Sequence, residues 1–332
     1  MKSNPLVSIL VPCYNSREFL KETLDSVLNQ TYQNFELILV DDGPPDPIKD
    51  IADSFNSDKI RYYYIDNIGP ANTRNLAAQK ASGEYLAFLN HDDLWTPTKL
   101  EDQLNELDRL QAVWIASGSQ RVNFYTHKVL ERHEGRDYFK NVFYDILEKK
   151  HLWAFSTVMI SKDVFMDVGM FAGEIWFMDD RDLYLRVAKN YPIAYLSKVH
   201  LLDRVHSSNI TSAISMEKML NVHSTVLENA RKLDDHIPDR VIKNSNRMIY
   251  QTVCIEYLRA NNIAGVRKMV KLLDWDLRNI KFIPYRVLCL FNDQTIIKIM
   301  TRLRKIRQKL NPSRIYPETA EWTGPKIGSS GQ

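Results

Sequence analysis

The chain has 332 residues, 44% of them hydrophobic and 26% charged, with a net charge of +3. At ~100–200 residues per domain, that length suggests two domains or one with an appendage. The composition excludes wholesale disorder, a collagen-like fibre and a small disulfide-stapled scaffold. The charge is uneven. Residues 278–314 hold ten Lys or Arg and one acid, Asp293, a local +9 that leaves −6 for the rest. A net charge of only +3 argues against a whole-surface nucleic-acid binder. Three cysteines, Cys13, Cys254 and Cys289, are odd in number and far apart, and read as reduced thiols of a cytosolic protein. The N-terminal apolar run is too short for a signal-peptide core, and no stretch reaches the ~18 apolar residues of a membrane span.

Residues 6–12 (LVSILVP) form a continuous apolar run, as expected for a buried parallel-type strand. Ser16 then caps a predicted helix through about Asn29, with Leu20, Leu24, Val27 and Leu28 on one face. A second buried strand at 35–40 ends in Asp41-Asp42-Gly43-Pro44. A helix near 47–56 leads to a strand at 60–65. Gly69-Pro70 opens a helix to about Lys80, and 84–89 is a fourth strand running into Asn90-His91-Asp92-Asp93. Strand and helix alternate four times, which predicts a doubly wound, mostly parallel α/β sheet. Beyond it, a helix is expected at 98–110, strands near 112–125 and 155–160, and a helix at 161–168. Asp179-Asp180-Arg181-Asp182 opens an amphipathic stretch to about Lys189. From residue 214 the pattern changes to helical periodicity over 215–232, 237–260 and 264–273. The expected organisation is a catalytic domain at 1–213, a helical extension at 214–312 and a flexible tail at 313–332.

Open α/β sheets bind ligands at the carboxyl ends of their strands. Here one such edge collects Tyr14, Asp41, Asp42, Asp92 and Asp93. Clustered carboxylates repel, and a divalent cation bound by oxygen ligands gives them a reason to be together. Neither GxGxxG nor GxxxxGK[ST] occurs, so the usual dinucleotide and P-loop readings fail. Phosphates would be neutralised by a metal and by arginine, for which Arg74 is a candidate.

Three blocks carry a resemblance: VSILVPCYNSREFLKETLDSVLNQTYQNFELILVDDGPPD (7–46), GPANTRNLAAQKASGEYLAFLNHDDLWTPTKL (69–100) and GMFAGEIWFMDDRDLYLRVAKN (169–190). In order and spacing they resemble the family 2 glycosyltransferases, which have the GT-A fold. The resemblance covers about 1–210. It implies that Pro12, Tyr14 and Asn15 hold a nucleobase, with Tyr14 stacked on the ring, and that Asp41 accepts a hydrogen bond from uracil. Arg74 would contact the base or phosphate side. Asp92 looks like the metal ligand, with Asp93 beside it on the nucleotide side, and Asp180 looks like the catalytic base. Arg204 and His206, from an Arg-x-His motif, would face the diphosphate and the metal. Asp179 flanks the base and, with Trp176, is expected at the acceptor. Two positions depart from the family pattern: Asn90 stands where the first acid of the DxD motif is usual, and Pro44 follows Asp42-Gly43 where serine is usual.

The implied activity is an inverting sugar transfer from a UDP-sugar, dependent on Mn²⁺ or Mg²⁺. Residues 294–310 place Ile296, Ile299, Met300, Leu303, Ile306 and Leu310 at helical spacing, with Lys298, Arg302, Lys305 and Lys309 mostly on other faces. A basic amphipathic helix reads as a binder of anionic membrane surfaces, with a packed helix as the alternative. The expected location is therefore cytoplasmic, peripheral on the inner membrane. The expected acceptor is a polyprenyl-diphosphate-linked saccharide of O-antigen or capsule assembly. Two other classes compete. A sugar-nucleotide nucleotidyltransferase should carry a glycine-rich basic loop after the first strand, which is absent. A non-catalytic nucleotide-sugar-binding protein would lack Asp92 or Asp180, and both are present.

Overall fold

The structure is a computed structural model. It describes residues 4–150, 153–175, 177–206, 215–260, 262–273 and 295. These form two compact units, one of residues 4–143 with 153–206 and one of residues 144–150 with 215–273.

In the first unit the predicted alternation is realised. Strand β1 (Val7–Cys13) leads through α1 (Arg17–Leu28) to β2 (Phe35–Asp42), then α2 (Lys49–Ser54), β3 (Ile60–Ile65), α3 (Pro70–Lys80) and β4 (Tyr85–Phe88). These four strands pair in parallel in the order β3-β2-β1-β4. All seven residues of β1 are buried, because helices cover both faces of such a sheet and leave no polar side. Leu20, Leu24 and Val27 of α1 pack against Val7, Ile9 and Val11 in one core cluster.

The second half departs from a parallel sheet. After β5 (Leu94–Trp95) and α4 (Lys99–Leu110) come β6 (Trp114–Asn123), β7 (Val129–His133), β8 (Tyr138–Lys140), α5 (Phe143–Leu147), β9 (Met159–Ser161), α6 (Lys162–Asp167), α7 (Asp179–Asn190) and β10 (Ile193–Val205). The ten-stranded sheet continues β4-β9-β6-β10-β5, with β9 antiparallel to both neighbours and β6 parallel to β10. The sheet is thus mixed rather than mostly parallel.

Two local expectations are corrected. The strand expected at 155–160 is a 3₁₀ turn at Phe155–Thr157 followed by the short β9. The turn bends the chain so that the Ser156 carbonyl accepts from the Trp95 indole at 2.7 Å and the Ser156 hydroxyl donates to Asp93 at 2.5 Å. The 13-residue β10 was not anticipated at all. Its register shifts between Leu196 and Leu201, which breaks the side-chain alternation that marks a strand in sequence. Gly118 of β6 belongs to the same irregularity: a Cβ there would lie 2.6 Å from the Ser197 carbonyl oxygen.

The second unit contains α8 (Met216–Leu233), α9 (Asp239–Arg259) and α10 (Ile263–Leu272), close to the predicted helices. Ser215 and Asn262 cap α8 and α10 by accepting from Lys218 N and Gly265 N. Met219, Val226, Leu227 and Ala230 form the buried stripe of α8. The expected change of organisation near residue 213 and the basic stretch at 294–310, except Thr295, lie outside the described residues. Among the described residues no helix is long and apolar enough to cross a membrane, and Cys13 and Cys254 are buried.

One core side chain yields a stability prediction. Lys99 is fully buried, and its Nζ donates to Gln103 Oε1 at 2.8 Å and sits 3.9 Å from the Trp95 ring centroid. Burial holds its ammonium well below the usual lysine range. The unfolded chain therefore binds more protons at this site, and stability rises with pH up to the ordinary lysine value of ~10.4. Lys99→Met removes that term. Its stability relative to the native chain is expected to be highest near pH 7. The difference should decline toward pH 9.5, by at most about 1.4 kcal/mol per pH unit. Parallel thermal melts across that range check it.

Candidate active site

β1, β2, β4, β6 and β10 run the same way, so their carboxyl ends share one edge of the sheet. At the end of β1, Pro12 is buried, Tyr14 is 45% exposed, and Asn15 turns the chain with φ 49° in the left-handed region. Asp41, aligned with Cys13 at the end of β2, is fully buried. Its Oδ2 accepts from Tyr62 Oη at 2.8 Å and from Ile48 N at 3.1 Å, while its Oδ1 is buried without a partner. Burial pushes its carboxyl above the usual range. Asp42 has a different task. It accepts from Ile68 N at 2.8 Å and Gly69 N at 3.1 Å, fixing the entry to α3. Gly43 follows at φ 66°, where a Cβ would come 2.7 Å from Asn67 N.

The segment after β4 supplies the second cluster. His206 Nε2 and Asp92 Oδ2 are 3.0 Å apart, with both side chains largely buried. Burial opposes ionisation of Asp92, but the hydrogen bond with His206 and the charges of His91 and His206 hold its carboxyl below the usual range. A carboxylate oxygen and an imidazole nitrogen are both donor atoms for divalent cations, and here they lie side by side. Asp93 faces inward instead. It is 5% exposed and accepts from Ser156 Oγ and, at 3.3 Å each, from Asn90 Nδ2 and Arg204 N. Burial and then the Asp92 charge push it well above the usual range. Asn90 thus anchors Asp93 in this loop.

Arg204, expected to face a diphosphate, is 3% exposed and engaged by protein acceptors. Its Nε donates to the Asp92 carbonyl, Nη1 to Glu22, and Nη2 to the Phe19 carbonyl and Thr23 Oγ1 at 3.0 Å each.

The third cluster is the start of α7. Asp179 Oδ2 accepts from Arg74 Nη1 of α3 at 2.7 Å, and the Arg74 guanidinium lies 4.5 Å from the Phe155 ring centroid. Asp180 accepts from Arg181 N at 2.8 Å. Its carboxyl is pushed up to about 6, first by burial and then by the adjacent Asp179 charge. One turn on, Tyr184 packs 5.8 Å from Trp114 and 6.3 Å from Trp153 between ring centroids. Trp153 is therefore part of a buried aromatic wall behind the helix. Trp176 lies outside the described residues.

Sequence reasoning missed Phe19, Glu22, Thr23 and Tyr62. Phe19, Glu22 and Thr23 follow i, i+3, i+4 spacing on α1, but that pattern does not say what they face. Tyr62 read only as one of three consecutive tyrosines in a strand.

The family model for glycosyl transferase family 2 matches residues 8–169. A protein of Rickettsia prowazekii named uncharacterized glycosyltransferase RP339 is 31% identical over 226 residues, covering 64% of this chain and 69% of that protein. The chain belongs to glycosyl transferase family 2. Escherichia coli WfaP, named a UDP-Glc:alpha-D-GlcNAc-diphosphoundecaprenol beta-1,3-glucosyltransferase, is 34% identical over 126 residues, 37% of this chain and 47% of that one. The crystal structure of S. aureus TarS 1–349 in complex with UDP-GlcNAc superposes with a TM-score of 0.60 at 18% identity, covering 81% of each chain. The family 2 chain described here accordingly has the GT-A fold.

Proposed function

We propose that this family 2 chain is an inverting, metal-dependent hexosyltransferase that moves a sugar from a UDP-sugar to a saccharide acceptor. The acceptor class is a polyprenyl-diphosphate-linked sugar of O-antigen or capsule assembly. One observation carries the reading. A half-buried carboxylate with a raised pKa, Asp180, and the Asp92–His206 donor pair belong to one sheet unit whose strand ends also carry Tyr14 and Asp41.

Each group has one task. Tyr14 stacks on the nucleobase beside Pro12 and Asn15. The unpartnered Asp41 Oδ1 is an acceptor for the ring N–H that uracil presents and cytosine lacks at the same position. Arg74 lends positive charge on the donor side and is steadied by Asp179. Asp92 and His206 would hold Mn²⁺ or Mg²⁺, whose charge, when bound, offsets the negative charge growing on the departing diphosphate. Asp180 takes the proton of the acceptor hydroxyl as its oxygen bonds to the anomeric carbon and the bond to the diphosphate breaks. A single displacement inverts that centre. Asp179 and Trp176 are the proposed acceptor contacts.

The acceptor class is supported by the diphosphoundecaprenol acceptor in the name of WfaP and by the basic, amphipathic sequence at 294–310. The latter favours a peripheral position on an anionic membrane. UDP as the carrier is supported by the UDP-GlcNAc complex of TarS.

A UDP-release assay over a panel of UDP-sugars, with Mn²⁺, with Mg²⁺ and with chelator, tests the reading. At least one UDP-sugar should turn over only with metal, and no release from any of them would refute it. The same assay has an expected pH profile. The base must be ionised, so rate should fall as pH drops through about 6 and level off above it. Asp179→Asn removes the adjacent negative charge that helps to raise Asp180. Its acid limb should move to lower pH, and an unmoved limb would separate that limb from Asp180.

A further inference from the structure

We infer that Arg204 is a positioning residue that, together with helix α1, sets the spacing of Asp92 and His206 before cation or nucleotide binds. This rests on the proposed role of those two residues as metal ligands. The two ligands come from segments more than 100 residues apart, so something must hold the segments together. Arg204 bridges them directly: two residues before His206, it donates from Nε to the Asp92 carbonyl, and its backbone N–H donates to Asp93.

Helix α1 locks that bridge with one face. The Phe19 carbonyl and Thr23 hydroxyl accept from Nη2, and the Glu22 carboxylate accepts from Nη1. The Thr23 hydroxyl also donates to the His91 carbonyl at 2.8 Å, tying α1 to the residue preceding Asp92. The Phe19 ring stacks on the His206 imidazole, 4.0 Å between centroids at 23°, and fixes its plane with Nε2 toward Asp92. A planar guanidinium fork can meet acceptors on several sides at once, which a lysine ammonium on a flexible stem does not reproduce. With its nitrogens turned to these acceptors and 3% exposure, Arg204 is oriented toward the protein rather than toward a diphosphate.

The test is Mn²⁺ titration of the full chain followed by electron paramagnetic resonance, without nucleotide, beside UDP calorimetry in chelator. Outer groups that orient metal ligands typically change metal affinity ~10–100-fold when lost. Arg204→Met should weaken Mn²⁺ by that order and leave chelator-insensitive UDP binding within twofold. Arg204→Lys should be as weak as Arg204→Met. Glu22→Gln, at a site 42% exposed, should keep the fold and lose Mn²⁺ affinity to a smaller degree in the same direction. If the Arg204 variants do not fold, Glu22→Gln decides alone, and native Mn²⁺ affinity there overturns the inference. So does native Mn²⁺ affinity in folded Arg204→Met, recovery of affinity by Arg204→Lys, or a loss confined to UDP binding. A native chain that takes up no Mn²⁺ without nucleotide overturns it as well, because a preset pair should hold the ion unaided. Asp92→Ala separates the two levels. If it also leaves Mn²⁺ binding unchanged, the ligand assignment fails. If it alone abolishes binding, only the role of Arg204 fails.

Discussion

Asp180→Asn should lower turnover by ~10²–10⁴-fold while UDP-sugar affinity stays close to native. The amide keeps the size and the hydrogen bond from Arg181 N but cannot take a proton. The native carboxyl, raised to about 6, is ionised at neutral pH yet basic enough to accept the proton of an attacking hydroxyl. Because the base acts on the acceptor, the donor should bind as before. Burst kinetics with a responsive UDP-sugar, beside calorimetry with UDP, separate the two quantities. Near-native turnover in the variant would remove Asp180 from the chemistry.

Asp92→Ala should remove the response to Mn²⁺ and weaken UDP binding in the presence of metal, both in one substitution. The carboxylate is half of the only proposed donor pair, and His206 alone offers one nitrogen. A cation that joins protein to diphosphate makes the two affinities interdependent, so one loss produces both effects. The native chain should show the same coupling: chelator should weaken UDP binding. If UDP binds native protein equally well with and without chelator, the metal role is wrong whatever the variant does. The neighbouring Asp93 provides a contrast. It is bonded to Ser156, Asn90 and Arg204 N, so Asp93→Ala should appear first as lost stability.

The loop around Asp92 and Asp93 illustrates what could be read early. An apolar strand ending in Asn-His-Asp-Asp announces a strand-end cluster. It does not say which acid faces the cleft. Asp92 and Asp93 lie past the end of β4 in a turn, where strand alternation does not apply, and partners of Asp93 come from the 3₁₀ turn at Phe155–Thr157 and from β10, elements that the sequence pattern presents as a strand or does not mark. The same limit applied to Arg204. The Arg-x-His spacing put both side chains on one side of an extended segment, as period-two geometry requires. That both would meet α1, Arg204 at Glu22 and Thr23 and His206 at the Phe19 ring, was set by residues more than 180 positions away.

The sequence by itself determined the family, the α/β class, the four-strand start of the sheet and the edge on which acids gather. Those features are local: continuous apolar runs make buried strands, 3.6-residue periodicity makes the covering helices, and the acids directly follow the apolar runs in sequence. The helices of the second unit were legible for the same reason. Tertiary structure alone decided the mixed second half of the sheet, because the irregular β10 pairs with β6 through a bulge that erases its alternation. It alone paired Arg74 with Asp179 across 105 residues, stacked Phe19 on His206, and gave Asp180 the burial that raises its pKa. Charge pairing, ring stacking and desolvation depend on distance in space, and the amino-acid order carries no such distance until the sheet has closed.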